Sequence, residues 1–273
     1  EGTLSYFSHE TESLQPVFMP LYALTDKFSA QPARIPDGQR IYAIGDLHGR
    51  ADLLRKLHAL IRADMTEVRA DQLPTKYLVI YLGDLFDRGN RVRDLIDMML
   101  DDPLDGFVSV NLRGNHDQMV LDFLEDEQKG PDWVFNGGDA TLRSYGADLE
   151  DPAFGREGWG WLQKEFREGF PVSHLSFVKS TAYSHVIGDY FFCHAGVRPG
   201  KGLSAQSSDD LMTIRRDFLD SDEDFEKIIV HGHTIVEEVQ QHANRIAIDT
   251  GAWRTGKLSC LVLEQDKRHV IHT

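Results

Sequence analysis

Two carboxylates and a guanidinium, Asp84, Asp87 and Arg88, stand within five residues between Gly83 and Gly89, directly after the apolar run Tyr77 to Leu82. Charges set at the edge of a buried segment are costly to desolvate, so they need partners or a metal. Two other stretches repeat the arrangement. Ile41 to Ile44 runs into Gly45-Asp46-Leu47-His48-Gly49, and Phe107 to Leu112 runs into Arg113-Gly114-Asn115-His116-Asp117. A carboxylate beside a neutral imidazole is a common ligand pair for first-row metals. Asn115 offers a neutral oxygen ligand, and His116 a titratable group. Alone, Asp46-x-His48 reads equally well as a satisfied turn aspartate next to a structural histidine. The three clusters together point to a metal centre in which Asp84 bridges two ions.

The elements that must hold these clusters follow from periodicity. The run Tyr77 to Leu82 is short and β-branched enough to be a strand buried on both faces, and Ile41 to Ile44 and Phe107 to Leu112 read as further short strands. Each cluster is followed by apolar residues at helical spacing: Leu53, Leu54, Leu57, Leu60 and Ile61 within Ala51 to Met65, then Val92 to Leu100, then Met119 to Leu124. Three consecutive strand-turn-helix units with polar residues at the strands' carboxyl ends match the rule that open α/β sheets bind ligands there. His58, in the first helix, reads as structural. Residues 126–176 interleave glycines, among them Gly137, Gly138, Gly146, Gly155, Gly158 and Gly160, with Trp133, Phe135, Tyr145, Trp159 and Trp161, which predicts a lid-like insertion of short helices and loops; aromatic packing under long loops fits the composition about as well. Arg143 there reads as a surface residue. The chain then returns to strands: a hairpin about Gly188-Asp189 whose second strand ends in Cys193-His194, a strand Ile228 to Val230 ending in His231-Gly232-His233, and strands at 246–248, 258–263 and 269–271. A helix over Leu211 to Leu219 carries Arg215 and Arg216. Cys193 and His194 point to opposite faces, which makes Cys193 core filler. Residues 1–38, with Pro16, Pro20, Pro32 and Pro36 among scattered apolar side chains, read as an extended arm that lies on the domain or on a neighbouring subunit; residues 39–273 form one domain.

Composition narrows the function. The 273 residues suffice for one large α/β domain with a well-buried core. A net charge of −15 argues against tracking a nucleic-acid backbone, which draws on Lys and Arg. No apolar run approaches the roughly 18 residues of a membrane span. Two cysteines without a CxxC pair suggest a reducing compartment, and the first residues lack the basic-then-apolar pattern of a secretory signal, so a cytoplasmic location is expected.

The ordered set Gly45-Asp46-Leu47-His48-Gly49, Gly83-Asp84-Leu85-Phe86-Asp87-Arg88-Gly89, Gly114-Asn115-His116-Asp117, His194-Ala195-Gly196 and Gly232-His233-Thr234 resembles the PPP-type phosphoprotein phosphatases, within the calcineurin-like metallophosphoesterases. The likeness runs from about Ile41 to Leu263, and Ile248 to Ala252 is similar to bacterial and bacteriophage members. It implies a four-layer αββα sandwich holding two divalent ions, with Mn²⁺ favoured and Fe or Zn compatible with the donor set. Matched position by position, Asp46 and His48 hold one ion, Asn115, His194 and His233 hold the other, and Asp84 bridges. Arg88 and Arg215 match phosphate-binding arginines, with Arg216 a rival for the second, while Asn115 also faces the phosphate. His116 matches the catalytic histidine and Asp87 its carboxylate partner; His231 is expected to support the ligand two residues on.

The chemistry agrees with those roles. Two cations about 3.5 to 4 Å apart lower the pKa of a bridging water, so that hydroxide attacks phosphorus in line without a phosphoenzyme. An imidazole held in one tautomer by a carboxylate can protonate the leaving oxygen, and arginine forks neutralise the remaining oxygens. The leading expectation is a metal-dependent phosphomonoesterase acting on phosphorylated proteins or peptides. A dinucleoside tetraphosphate hydrolase is the alternative, but those bacterial enzymes usually read Ala-Arg-Gly where this chain has Asp87-Arg88-Gly89. A metal-binding interaction module without turnover is a third reading, against which His116 and Arg88 stand. The chain also lacks the carboxyl-terminal Ser-Ala-Pro-Asn-Tyr segment through which eukaryotic members bind natural-product toxins, so insensitivity to them is expected.

Overall fold

A computed structural model describes residues 19–20, 32–66 and 74–273, so most of the expected arm at 1–38 lies outside the described residues. Of that arm, Met19–Pro20 forms strand β1, and Ala33 and Ile35 are buried in the core. The first sheet contains β1, β2 (Gln39–Ile44), β3 (Lys76–Tyr81), β4 (Phe107–Asn111), β10 (Ser259–Glu264) and β11 (Lys267–His272), in the order β1-β11-β10-β2-β3-β4. The second contains β5 (Ser184–Ile187), β6 (Tyr190–Cys193), β7 (Ile228–His231), β8 (Gln240–Gln241) and β9 (Arg245–Ala247), in the order β5-β6-β7-β9-β8. In the first sheet β2, β3 and β4 run parallel, and in the second β6, β7 and β9 do.

Strand alternation creates the layers. Ile41, Ala43, Leu78 and Ile80 of the first sheet meet Tyr190, Phe192, Ile228 and Val230 of the second in an apolar seam. The alternate residues, Tyr42, Ile44, Val79 and Tyr81, face α1 (Ala51–Thr66), α2 (Val92–Asp101) and α3 (Asn115–Glu125). On the far side of the second sheet, Phe191, Cys193 and Ile229 pack with Leu211 and Phe218. Helix, sheet, sheet and helix are thus stacked, as the resemblance led us to expect, and β2, β3 and β6 read as continuous apolar runs because both faces are buried, whereas β4, at the edge of the first sheet, leaves Val108 half exposed.

Residues 126–179 form α4 (Gly130–Trp133), a wider π-type turn over Val134–Gly138, α5 (Asp139–Ser144), α6 (Pro152–Glu157), α7 (Trp159–Gly169) and α8 (Val172–Lys179). Trp133, Tyr145, Phe166 and Phe170 are buried in the same cluster as the faces of α1 to α3, with Trp133 and Phe166 rings 5.5 Å apart. Most of this aromatic stretch therefore extends the helical layer over the first sheet, and the turn at Val134–Gly138 reaches the functional cleft.

One expected element differs. The helix anticipated over Leu211 to Leu219 is two short ones, α9 (Ser208–Thr213) and α10 (Arg216–Leu219), broken at Arg215, whose φ and ψ are −131° and −102°. The Leu211 carbonyl, which a continuous helix would pair with the Arg215 amide, accepts instead the Ala195 N–H at 2.8 Å. The second sheet's loop after β6 thus competes with the helix for one acceptor and ends it.

Candidate active site

The turns after β2, β3, β4, β6 and β7 meet at one end of the two sheets and bring together nine of the ten site residues singled out above; the tenth, Arg215, arrives from the α9–α10 break. Five of them hold positive φ: His48 (41°), Asp84 (50°), Asp87 (71°), Arg88 (66°) and His233 (61°). A non-glycine residue there costs about 1–3 kcal/mol, so its surroundings must impose the conformation. They do: the Leu47 and His48 amides donate to the Asp84 carbonyl (3.2 and 2.8 Å), Asp87 N–H donates to Thr141 Oγ1 (2.9 Å), and Arg88 N–H donates to the Gly137 carbonyl (3.0 Å). Backbone also approaches the carboxylates closely. A Cβ on Gly114 would collide with Asp84 Oδ1, and one on Gly232 would collide with Asp46 Oδ1.

Asp84 is the hub. His48 Nε2 and His194 Nε2 each lie 3.4 Å from its Oδ2, and the His116 amide donates to its Oδ1 at 3.0 Å. His48 Nδ1 donates to the Phe86 carbonyl (2.7 Å) and His194 Nδ1 to the Leu82 carbonyl (2.9 Å), which leaves each Nε2 facing the carboxylate. Asn115 Oδ1 and His233 Nδ1 both lie 3.2 Å from His194 Nε2. Two sets of donor atoms lie within 4.8 Å of one another: His48, Asp84 and His116, and Asp84, His194 and His233. Asp46 is buried beside them, but its carboxylate accepts the His233 amide at 3.1 and 3.3 Å.

The electrostatics favour cations here. Burial opposes ionisation of Asp84, but His194, His116 and His48 facing it hold its carboxyl well below the usual range. Burial drives His48 down to about 3, and burial together with His194 drives His233 down to about 2, so both are neutral imidazoles with lone pairs available. His194 goes the other way: burial would lower it, yet the Asp84 and Asp46 charges push it up to about 10. Two carboxylates beside His194 make this a place where positive charge is stabilised. His233 Nε2, buried with no hydrogen-bond partner, is a further free donor. The residues present fit a pair of divalent ions bound through nitrogen and oxygen.

Beside the hub, His116 Nδ1 lies 2.7 Å from Asp87 Oδ2. Trp133 Nε1 donates to both Asp87 oxygens at 3.0 Å, and Thr141 Oγ1 donates to Oδ1 at 2.6 Å. Burial opposes protonation of His116, but the Asp84 charge and the Asp87 hydrogen bond raise its pKa above the ordinary value. Arg88 forks over the cluster, with Nη1 3.1 Å from His48 Nε2 and Nη2 2.9 Å from His116 Nε2, and its guanidinium stacks on Trp253 at 5.4 Å.

These groups open into a polar cleft of about 370 Å³, lined among others by Asp84, Arg88, Asn115, His116, Arg215 and Arg254. Arg215 is on the cleft and donates to Thr234 Oγ1 at 3.3 Å; Arg216 does not line it. Sequence reasoning missed Arg254, Trp253 and the anchors Trp133 and Thr141, which carry no local motif. It also passed over two buried carboxylates. Asp117 accepts the amides of Asp84, Leu85 and Gly114, and burial together with the Asp84 charge raises it to about 7. Asp249, through burial and its neighbours, is raised too, and with burial it raises Asp46 well above the usual range. His231 does not back the cluster as expected: by strand alternation it shares the outer face with Ile229, and its ring packs edge-on against Phe218 at 5.0 Å. His58 is buried against the Tyr81 hydroxyl (2.9 Å), and Arg143 is exposed and paired with Asp139.

The sequence pattern described as "Calcineurin-like phosphoesterase" matches residues 39–254. Serine/threonine-protein phosphatase 2 of Escherichia coli (strain K12) is 29% identical over 231 residues, covering 81% of this chain and 91% of that protein. Among solved structures, one described provisionally as a diadenosine tetraphosphatase superposes with a TM-score of 0.54 at 16% identity, over 84% of this chain and 93% of the other. A cold-active protein-tyrosine phosphatase of a psychrophilic Shewanella gives 0.52 at 19% identity, over 85% and 78%. At these identities the two structural matches speak to the fold alone. With its ordered motifs, its paired sheets and a family match across most of its length, the chain belongs to the calcineurin-like phosphoesterases.

Proposed function

We propose that this phosphoesterase is a metal-dependent phosphomonoesterase that acts on phosphorylated proteins or peptides. Asp46, His48 and Asp84 would hold one ion, and Asp84, Asn115, His194 and His233 the other, with Mn²⁺ the preferred metal. Such a pair of cations, when bound, supplies Lewis acidity toward phosphoryl oxygens and a water of lowered pKa. The protein's own groups do the rest. Arg88, whose two terminal nitrogens lie beside His48 and His116, offers them to phosphate oxygens, and Arg215 takes a further oxygen from the α9–α10 break. His116, with Nδ1 committed to Asp87, delivers a proton from Nε2 to the departing alkoxide or phenoxide. The buried Asp87–His116 pair carries this reading, because a phosphate monoester needs a proton for its leaving oxygen and the carboxylate favours and orients the imidazolium whose Nε2–H provides it. The similarity to a bacterial serine/threonine-protein phosphatase supports the choice of substrate. Cys193 and Cys260, buried and unpaired in different layers, support the expected reducing, cytoplasmic location.

The test strips metal from the protein, restores Mn²⁺, and measures phosphate release from phosphoserine, phosphothreonine and phosphotyrosine peptides alongside diadenosine tetraphosphate cleavage. Metal-dependent peptide turnover is expected. Preferential nucleotide cleavage would make the chain a dinucleoside tetraphosphate hydrolase instead, and metal binding without either activity would leave an interaction module.

A further inference from the structure

The chain carries 44 acidic against 29 basic residues, and Arg40, Arg50, Arg91, Arg143 and Arg198 each pair with an aspartate. Arg88, Arg215 and Arg254 share the cleft, and among the described residues none of the three is ion-paired to a carboxylate. A guanidinium left unpaired in so acidic a protein is a ready receptor for an anion that arrives with the substrate.

One scissile phosphoryl group does not account for all three. Arg88 sits over His48 and His116, directly above the reacting position, and Arg215 approaches from the other side through Thr234. Among the described residues the Arg254 side chain has no hydrogen-bond partner, and the cleft of about 370 Å³ has room for more than one phosphoryl group. Its mount is rigid. Arg254 lies on α11 (Ala252–Thr255), which follows Gly251 in the left-handed region (φ 68°). The Gly251 amide donates to Asp249 Oδ1 (2.8 Å), Arg50 Nη1 donates to the Ala252 carbonyl (2.7 Å), and Thr255 Oγ1 donates to the Thr250 carbonyl (2.9 Å). Trp253, on the same turn, carries the Arg88 guanidinium on its ring, so the position of Arg254 is tied to that of the phosphate-facing arginine.

We propose that Arg254, on the same cleft as Arg215 and Thr234 but left over by the scissile phosphate, forms a second anion subsite that selects substrates bearing another negative group next to the scissile phosphoester, either an acidic side chain or a second phosphate in the same peptide. The proposal rests on the phosphoprotein reading above. It gives the cleft a specificity that the metal ligands and the Asp87–His116 pair do not provide, since those groups address only the reacting phosphorus and its leaving oxygen.

The experiment compares kcat and KM for matched phosphopeptides on the Mn²⁺-loaded protein. One peptide has alanine around the phosphoresidue, a set has glutamate at each of the two positions on either side, and another set has phosphoserine there, so that the carboxylate and phosphate sources are distinguished. At one position the acidic peptide is expected to exceed the alanine peptide in kcat/KM by about fivefold for glutamate and by more for phosphate, mainly through KM. Arg254→Gln should collapse that ratio to near one, Arg254→Lys should keep part of it, and Arg254→Glu should favour a lysine peptide. Equal kcat/KM across the peptides, or a preference that survives Arg254→Gln, would overturn the subsite and leave the phosphatase reading standing. Absence of turnover with every phosphopeptide would overturn both.

Discussion

His116 Nδ1 lies 2.7 Å from Oδ2 of Asp87, and that carboxylate is wholly buried beneath it, bonded also by an indole and a hydroxyl from residues 133 and 141. The imidazole at the floor of the cleft is therefore oriented by the helical segment after α3, which lies outside all five motif clusters.

Replacing Asp87 by Asn keeps the volume but removes the charge that orients the imidazole. We expect kcat to fall about 10²- to 10⁴-fold with metal content unchanged, as for loss of a general acid. Steady-state kinetics with metal analysis of the same sample checks this. Trp133→Phe, which removes one donor to the same carboxylate, should lower kcat less and cost about 1–3 kcal/mol of stability by leaving Asp87 short of a partner.

Because cations would bind only the folded site, saturating Mn²⁺ should raise the melting temperature. At a hundredfold excess over Kd the gain is about 2.7 kcal/mol, or roughly 5 °C or more for a chain of this size. Differential scanning calorimetry with and without chelator reads it. A melting temperature indifferent to metal would count against the ion pair, and His233→Ala should lower the bound metal per chain.

Far from the cleft, Asp64 is buried under Arg40, Tyr42 and His269, with Arg40 Nη2 at 2.7 Å and Tyr42 Oη at 2.6 Å. Burial works against its ionised form, but hydrogen bonds from His269 and Tyr42 and the Arg40 charge hold its pKa below the ordinary carboxylate value. A lowered folded pKa gives stability that is fully present above the unfolded value near 3.9 and is lost as pH falls through the folded one. Denaturant unfolding should therefore show wild type losing more stability than Asp64→Asn below about pH 4. At pH 7 the variant should be about 3 kcal/mol weaker, because Arg40 loses a buried partner. Parallel pH profiles for the two proteins would refute the assignment.

Trp253 is partly exposed, so its loss should leave folding intact while freeing the Arg88 guanidinium. A cation–π contact contributes about 0.5–2 kcal/mol, and Trp253→Leu should accordingly lower kcat/KM by about three- to tenfold, with melting temperature nearly unchanged. An unaltered kcat/KM would show that Arg88 is positioned without the ring.

The sequence determined the three strand-turn-helix units, the hairpin at Gly188-Asp189 and the residues that converge on Asp84, because strand and helix periodicities and Gly-flanked polar clusters are local properties. The stacking of four layers was expected from the family resemblance carried by those clusters, and the structure shows it. The tertiary structure decided what depends on partners distant in sequence. Arg215 faces the cleft because the Ala195 amide takes a carbonyl that a longer helix would have used. His231 turns away because pairing places it on the outer face with Phe218. Asp87 is anchored by side chains 46 and 54 positions away, and Arg254 and Trp253 reach the cleft only because α11 hangs from Asp249 and Arg50. Hydrogen bonds across such separations leave no periodic trace in the chain, so the chemistry was legible from spacing while its orientation and its selectivity had to wait for the fold.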